Sequence, residues 1–188
     1  MHWNRSFILM ISITLILSGC YSKEDQTKKV VQEWYGKTVT IPSSLKPKVE
    51  GRDTTISQTE ILDKDYNVLT FVDTTGCTEC NMRLYDWRLL IEEVKQHGKE
   101  INFIFVIHSS NFDEISAFAV KNKFNYPLFY DYDNSFAKAN KNLPSQPEFQ
   151  SFLLDKNGKV ILVGNPVKNK SLWRLYKKQM EIYDKSDS

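Results

Sequence analysis

Two apolar runs stand out along the chain. Residues 67–72 (Asn-Val-Leu-Thr-Phe-Val) and 101–108 (Ile-Asn-Phe-Ile-Phe-Val-Ile-His) are short and rich in β-branched and aromatic residues, and so predict strands, the second buried on both faces. Between them Cys80, Leu84, Trp87, Leu90, Ile91 and Val94 recur at helical spacing, which predicts a helix that stops near Gly98. Ser110 or Asn111 can cap a next helix carrying Asp113 and Glu114 in its first turn and Phe112, Ile115, Ala119 and Val120 on its apolar side. Residues 127–130 suit a short strand, and Asp133-Asn134-Ser135 suits the cap of a short helix through Phe136, Ala137 and Ala139. After a loop over 140–147, residues 149–154 and 160–163 flank Asp155-Lys156-Asn157-Gly158-Lys159 as a β-hairpin. Leu172, Leu175, Tyr176, Gln179, Met180 and Tyr183 then give a closing amphipathic helix.

Upstream the pattern is weaker. Residues 34–42 alternate and end at a proline, which predicts a short strand; 43–53, with Pro47 and Gly51, read as a loop; 54–57 suit another short strand, and 63–67 a turn. The order of elements predicts an α/β fold with helices able to cover both faces of one sheet. With 188 residues, 41% hydrophobic and 13% aromatic, the chain can bury one ordinary core. Its formal charge is only +2 and its lysines alternate with acids, so the composition points to no nucleic-acid partner.

Chemistry concentrates where the first strand gives way to the helical pattern, at Asp73-Thr74-Thr75-Gly76-Cys77-Thr78-Glu79-Cys80. Cysteines three apart in a first helical turn have β-carbons about 5–6 Å apart, close enough for small shifts to close a disulfide. A helix N-terminus favours an anion, so Cys77 is the expected nucleophile, and Cys80, one turn inside, the resolving thiol. Glu79 opposes the thiolate and no cation lies between Asp73 and Cys80, so Cys77 should be less acidic than in strongly oxidising CxxC proteins. Asp73 suits a cap of the following turn or a proton carrier for Cys80. A closed zinc site needs four ligands, and beyond His2 only His97 and His108 could join the pair, so no metal or other cofactor is expected. A permanent Cys77–Cys80 brace is the competing use of the same spacing. The aromatics Phe124, Tyr126, Phe129, Tyr130, Tyr132 and Phe136 suit core packing, with a groove for an extended peptide as the alternative.

The start of the chain reads as an export signal. His2 and Arg5 precede a short apolar stretch, below the roughly 20 residues a membrane span needs, that ends in Leu17-Ser18-Gly19-Cys20. That tetrapeptide resembles the lipobox of bacterial lipoproteins, which implies cleavage before Cys20 and a lipid on its sulfur. The resulting division is a signal peptide over 1–19, a lipidated tether over 20–33 and one domain over 34–188. The charged Lys23-Glu24-Asp25 run resembles the signal that carries some lipoproteins to the cell surface, or is a solvated part of the tether. Cysteine use agrees with an oxidising compartment: one anchor and one pair.

The whole pattern resembles the thioredoxin fold. More narrowly, the export signal, the N-terminal strand extension, the central insertion and the hairpin Phe152-Leu-Leu-Asp-Lys-Asn-Gly-Lys-Val160 resemble the TlpA/ResA-like thiol-disulfide oxidoreductases over residues 34–183. The resemblance implies a membrane-anchored enzyme of the bacterial cell envelope, periplasmic or surface-exposed. It would exchange disulfides with protein thiols through Cys77 and Cys80; Glu79 beside the pair favours a reductant over an oxidant, and a reductant needs an upstream electron donor. Pro147 is the nearest candidate for the family's cis-proline, about two residues further from Asp155 than the family spacing. Gly76 and Asp73 stand where the family usually carries tryptophan. The alternatives are a non-catalytic binding module with a structural disulfide and a peroxiredoxin-like peroxidase. For the peroxidase Thr74 fits the threonine three residues before the reactive cysteine, but Thr70 occupies its proline position.

Overall fold

The computed structural model describes residues 24–73, 82–167 and 169–183. Contacts divide the chain into two units, Met1–Trp34 and Tyr35–Ser188. In the first, residues 24–34 are helical, with Lys28 paired to Glu24 one turn earlier at 2.7 Å; the described part of the segment read as a tether thus has regular structure.

The second unit is built on a seven-stranded mixed sheet. Its strands are β1 (Lys46–Val49), β2 (Arg52–Asp53), β3 (Tyr66–Asp73), β4 (Asn102–His108), β5 (Leu128–Tyr130), β6 (Ser151–Asp155) and β7 (Val160–Val163), in the spatial order β2-β1-β5-β4-β3-β6-β7. β3, β4 and β5 run parallel; the other neighbours pair antiparallel. Among the described residues the unit also has helices α1 (Gln58–Ile61), α2 (Leu84–Gln96), α3 (Phe112–Lys121), α4 (Ser135–Ala139) and α5 (Lys170–Gln179). This is a thioredoxin-like α/β fold.

Strand alternation sets the two layers. Val68 and Val72 of β3, Phe105 and Ile107 of β4, Leu128 and Tyr130 of β5 and Leu153 of β6 share one core with Leu84, Trp87, Ile91 and Val94 of α2, Ile115, Phe118 and Ala119 of α3, and Trp173 and Tyr176 of α5. Edge-to-face contacts of Trp87 with Phe105 (5.4 Å) and Phe105 with Phe124 (5.2 Å) join strand and helix layers. The alternate positions, Leu69, Val106, Phe129, Phe152 and Leu154 among them, are buried too; there Phe71 stacks on Phe136 of α4 at 5.3 Å.

Several elements differ from the sequence expectation. The loop predicted over 43–53 contains the β1–β2 hairpin. The strand predicted over 54–57 is irregular chain leading into α1, where Ser57 Oγ accepts from Glu60 N and the Glu60 carboxylate accepts from Ser57 N, a reciprocal cap. The strand predicted over 34–42 shrinks to one bridge, Thr38 to Lys159. Left-handed Gly36 (φ +82) bends the chain there, and the bonds to the 158–160 segment come from Gly36, Lys37 and Val39. On α3, Phe118 is buried and Val120 exposed; on α5, Trp173 is buried and Leu175 exposed, each a rotation of the apolar stripe by about 60°, with Ile115 and Ala119 on α3 and Tyr176 on α5 buried as expected. The hairpin turn is as read: Asp155 Oδ1 accepts from Asn157 N at 2.8 Å and Lys159 N at 2.9 Å.

Candidate redox site

The parallel strands bring their C-terminal ends to one edge, the usual place for a site in such sheets. β3 ends at Asp73 and β4 at His108, which are paired in register. Cys77 and Cys80 follow Asp73 by four and seven residues in sequence. They, with Gly76, Glu79 and Cys20, lie outside the described residues.

Beyond the CxxC in sequence, the helix expected to run on to Gly98 is interrupted at Arg83. Met82 is helical, Arg83 takes the left-handed conformation (φ 48, ψ 40), and α2 begins at Leu84. Met82 and Leu84 are both 1% exposed. Positions two apart on a regular helix point about 200° apart and cannot both face one core; the left-handed residue between them turns both inward. Arg83 is held by Asp86, Nε to Oδ2 3.2 Å, and its carbonyl accepts from Trp87 N at 3.1 Å. The thirteen-residue α2 thus starts afresh at Leu84, after left-handed Arg83.

Around the strand ends the scaffold is polar and firmly bonded. Asp73 is half-buried. His108 sits with Nδ1 2.8 Å from the Asp131 carbonyl oxygen, and Asp131 N donates to Ile107 O at 2.9 Å. The Asp131 carboxylate, in a residue only 1% exposed, accepts from Ser135 N and Ser135 Oγ, both at 2.8 Å, and from Phe136 N at 2.9 Å. It is the cap of α4, in place of the expected Asp133-Asn134-Ser135 set; Asn134 is left-handed and makes no cap bond. Within β3, Thr70 Oγ1 lies 3.0 Å from Ser151 Oγ in a buried hydroxyl pair.

Pro147, the cis-proline candidate, opens a 3-10 turn, Pro147–Phe149. Glu148, Phe149 and Gln150 separate it from β6, and no cis peptide occurs among the described residues. Gln150 holds the join instead: its carbonyl accepts from Phe71 N at 2.9 Å and its Nε2 donates to Pro144 O at 2.9 Å. Of the aromatics weighed for a groove, Phe124, Phe129, Tyr130 and Phe136 are buried and Tyr132 is exposed. A cavity of about 230 Å³, walled by Ile61, Ile91, Ile101, Phe103 and Tyr126, opens at the opposite end of the sheet, beside the start of β4. Among the described residues no cluster suits a metal ion, and no helix is long and apolar enough to cross a membrane.

The profile of the AhpC/TSA family matches residues 39–163, from the segment beside β7 through β7 itself. The chain belongs to the AhpC/TSA family. No curated protein matches this AhpC/TSA-family chain. Among solved structures it is similar to a protein described as a thiol-disulfide oxidoreductase from Bacteroides vulgatus, with TM-score 0.56, 19% identity, and coverage of 76% of this chain and 91% of the other. A thiol:disulfide interchange protein from Bacteroides sp. gives 0.56, 11%, 81% and 93% for the same quantities. A cysteine-to-serine mutant of peroxiredoxin Q from Xanthomonas campestris gives 0.51, 17%, 76% and 97%. At these identities the likeness is one of fold. Family and fold together make the AhpC/TSA-family chain a redox-related protein of the thioredoxin superfamily.

Proposed function

We propose that this AhpC/TSA-family protein is a thiol-based redox enzyme of the bacterial cell envelope, anchored by a lipid on Cys20 and working through Cys77 and Cys80. In the principal reading its substrates are protein disulfides. The Cys77 thiolate attacks a partner disulfide, forming a mixed disulfide and releasing one partner thiolate. The Cys80 thiolate then attacks the Cys77 sulfur, releasing the second partner thiolate and leaving a Cys77–Cys80 disulfide, a two-electron transfer that an upstream dithiol donor reverses. Glu79 supports the reductant direction, because a carboxylate beside the pair weakens the thiolate on which a strong oxidant depends.

The observation that carries this choice is Thr70. A peroxidase of the peroxiredoxin type has proline at that position, whereas here the residue lies inside β3, paired with Phe105 on one side and Ser151 on the other. Proline is poorly tolerated in the interior of a central strand, so the strand's run to Asp73 suits a CxxC that follows directly. The second reading is peroxide reduction, and the family match speaks for it more directly than for disulfide exchange. Thr74, three residues before Cys77, supports it as well. Cys77 thiolate would attack the peroxide O–O bond, giving a sulfenic acid and water or an alcohol. Cys80 would condense with the sulfenic acid, losing water.

One set of variants separates the readings. Cys80→Ser should accumulate a reductant-sensitive mixed disulfide with a disulfide substrate, and Cys77→Ser should not. Rapid sulfenic acid formation in Cys80→Ser on adding hydrogen peroxide, without disulfide trapping, would select the peroxidase. Inertness of both, with a Cys77–Cys80 potential below about −300 mV, would leave the non-catalytic binding module with a structural disulfide.

A further inference from the structure

α5 has a face that the core does not use. Trp173 and Tyr176 point into the core, and Met180, just past the helix end, is buried with them. At 100° per residue Lys170, Arg174 and Lys178 form one ridge turned away from that core, with Ser171 and Leu175 in the adjoining row. All five are exposed, Leu175 by 53%.

The helix holds no aspartate or glutamate, and among the described residues none of the three ridge cations has an ion-pair or hydrogen-bond partner. The fourth basic side chain, Lys177, is used differently: it flanks the core and its Nζ lies 2.8 Å from Glu93 Oε1, while Trp173 Nε1 donates to Glu93 Oε2 at 2.9 Å. The next acid in the chain, Glu181, faces Lys99 at 3.8 Å. Exposed Tyr183 follows, a ring type suited to a water–lipid boundary.

A face of one sign repels itself, and it stands out in a chain whose formal charge is only +2. The three cations stand in line over about 12 Å, roughly two helical turns, with an apolar side chain beside them, an arrangement for a flat anionic surface rather than a pocketed ligand. We propose that this face of α5 docks on an anionic lipid membrane, with the Lys170, Arg174 and Lys178 heads at the phosphates and Leu175 among the headgroups. The proposal is independent of the redox chemistry.

The test uses the full chain carrying Cys20→Ser, so that no lipid is attached, and sedimentation with vesicles of phosphatidylcholine alone or with about 30% phosphatidylglycerol, an anionic lipid. Any binding through the apolar leader is common to both compositions, so the readout is the gain in affinity on adding phosphatidylglycerol. Each Lys or Arg near an anionic surface contributes about fivefold, so the triple variant Lys170→Gln, Arg174→Gln, Lys178→Gln should lower that gain about a hundredfold. The control triple Lys123→Gln, Lys141→Gln, Lys156→Gln, equal in charge but elsewhere, should keep most of it. Leu175→Ser should weaken binding several-fold further. Equal losses in the two triples, or no preference for phosphatidylglycerol in the parent, would overturn the proposal.

Discussion

Asp131 does at the scale of one residue what the sequence assigned to three others. Its carboxylate accepts from Ser135 and Phe136 at the start of α4, and its carbonyl oxygen lies 2.8 Å from His108 Nδ1, so one side chain and one peptide join β4, β5 and α4. Asp131→Ala leaves the Ser135 and Phe136 amides without their acceptor and should cost about 2–4 kcal/mol, read from the urea midpoint, with Asp131→Asn costing less. The cap was hidden because left-handed Asn134 lets a residue four positions back reach the helix start, while cap patterns are sought directly beside it. Arg83 was hidden for a related reason: periodicity reports which residues are apolar, and only the burial of both Met82 and Leu84 reveals that a regular helix cannot join them.

Among the elements, the β1–β2 hairpin shows where composition misleads. Pro47 and Gly51 look like loop residues, yet Pro47 O accepts from Thr54 N just past the end of β2. A strand residue aims its nitrogen and its carbonyl to the same side, so the missing proline N–H falls where pairing stops. Gly51 is left-handed (φ +77), and a Cβ there would stand 2.7 Å from Ser116 Cβ on α3. Gly51→Ala should therefore destabilise by about 1–3 kcal/mol in chemical denaturation, from backbone strain and overlap together. The buried strands β3 and β4 were legible because their apolar runs have no other use; the stripes of α3 and α5 were not, because Phe118 and Trp173 compete with Val120 and Leu175 and only packing decides between them. At the site, the place of Cys77 and Cys80 after β3 in the chain could be read from sequence. The neighbourhood of His108 and Asp131 could not, since it depends on strand register.

For the whole molecule, buried phenols set a limit on the alkaline side. Burial raises the Tyr176 pKa well above its usual 10.0, and its hydroxyl donates to Gly164 O at 2.8 Å. Burial also raises Tyr130. A raised folded-state pKa leaves stability intact below the unfolded value and removes it as pH climbs beyond, because the unfolded chain ionises first. Stability should thus hold to about pH 10 and then fall by about 1.4 kcal/mol per pH unit from Tyr176, with Tyr130 adding in the same direction. Tyr176→Phe should be less stable at about pH 8 from the lost hydrogen bond, yet show a shallower decline between about pH 10 and 11; an unchanged slope in urea titrations would refute the assignment.

The sheet order carries one more consequence, for the chain as it emerges from synthesis or from a pore. β3 and β4 are neighbours in sequence and can pair early, but the other side of β3 belongs to β6, so Leu69 waits for Phe152. Delivered from its N-terminus, the chain keeps an unsatisfied inner edge until most of its length has appeared, and the late hairpin closes the sheet in a single stroke. A polypeptide of this topology stays threadable for most of its passage and commits to its fold only near the end.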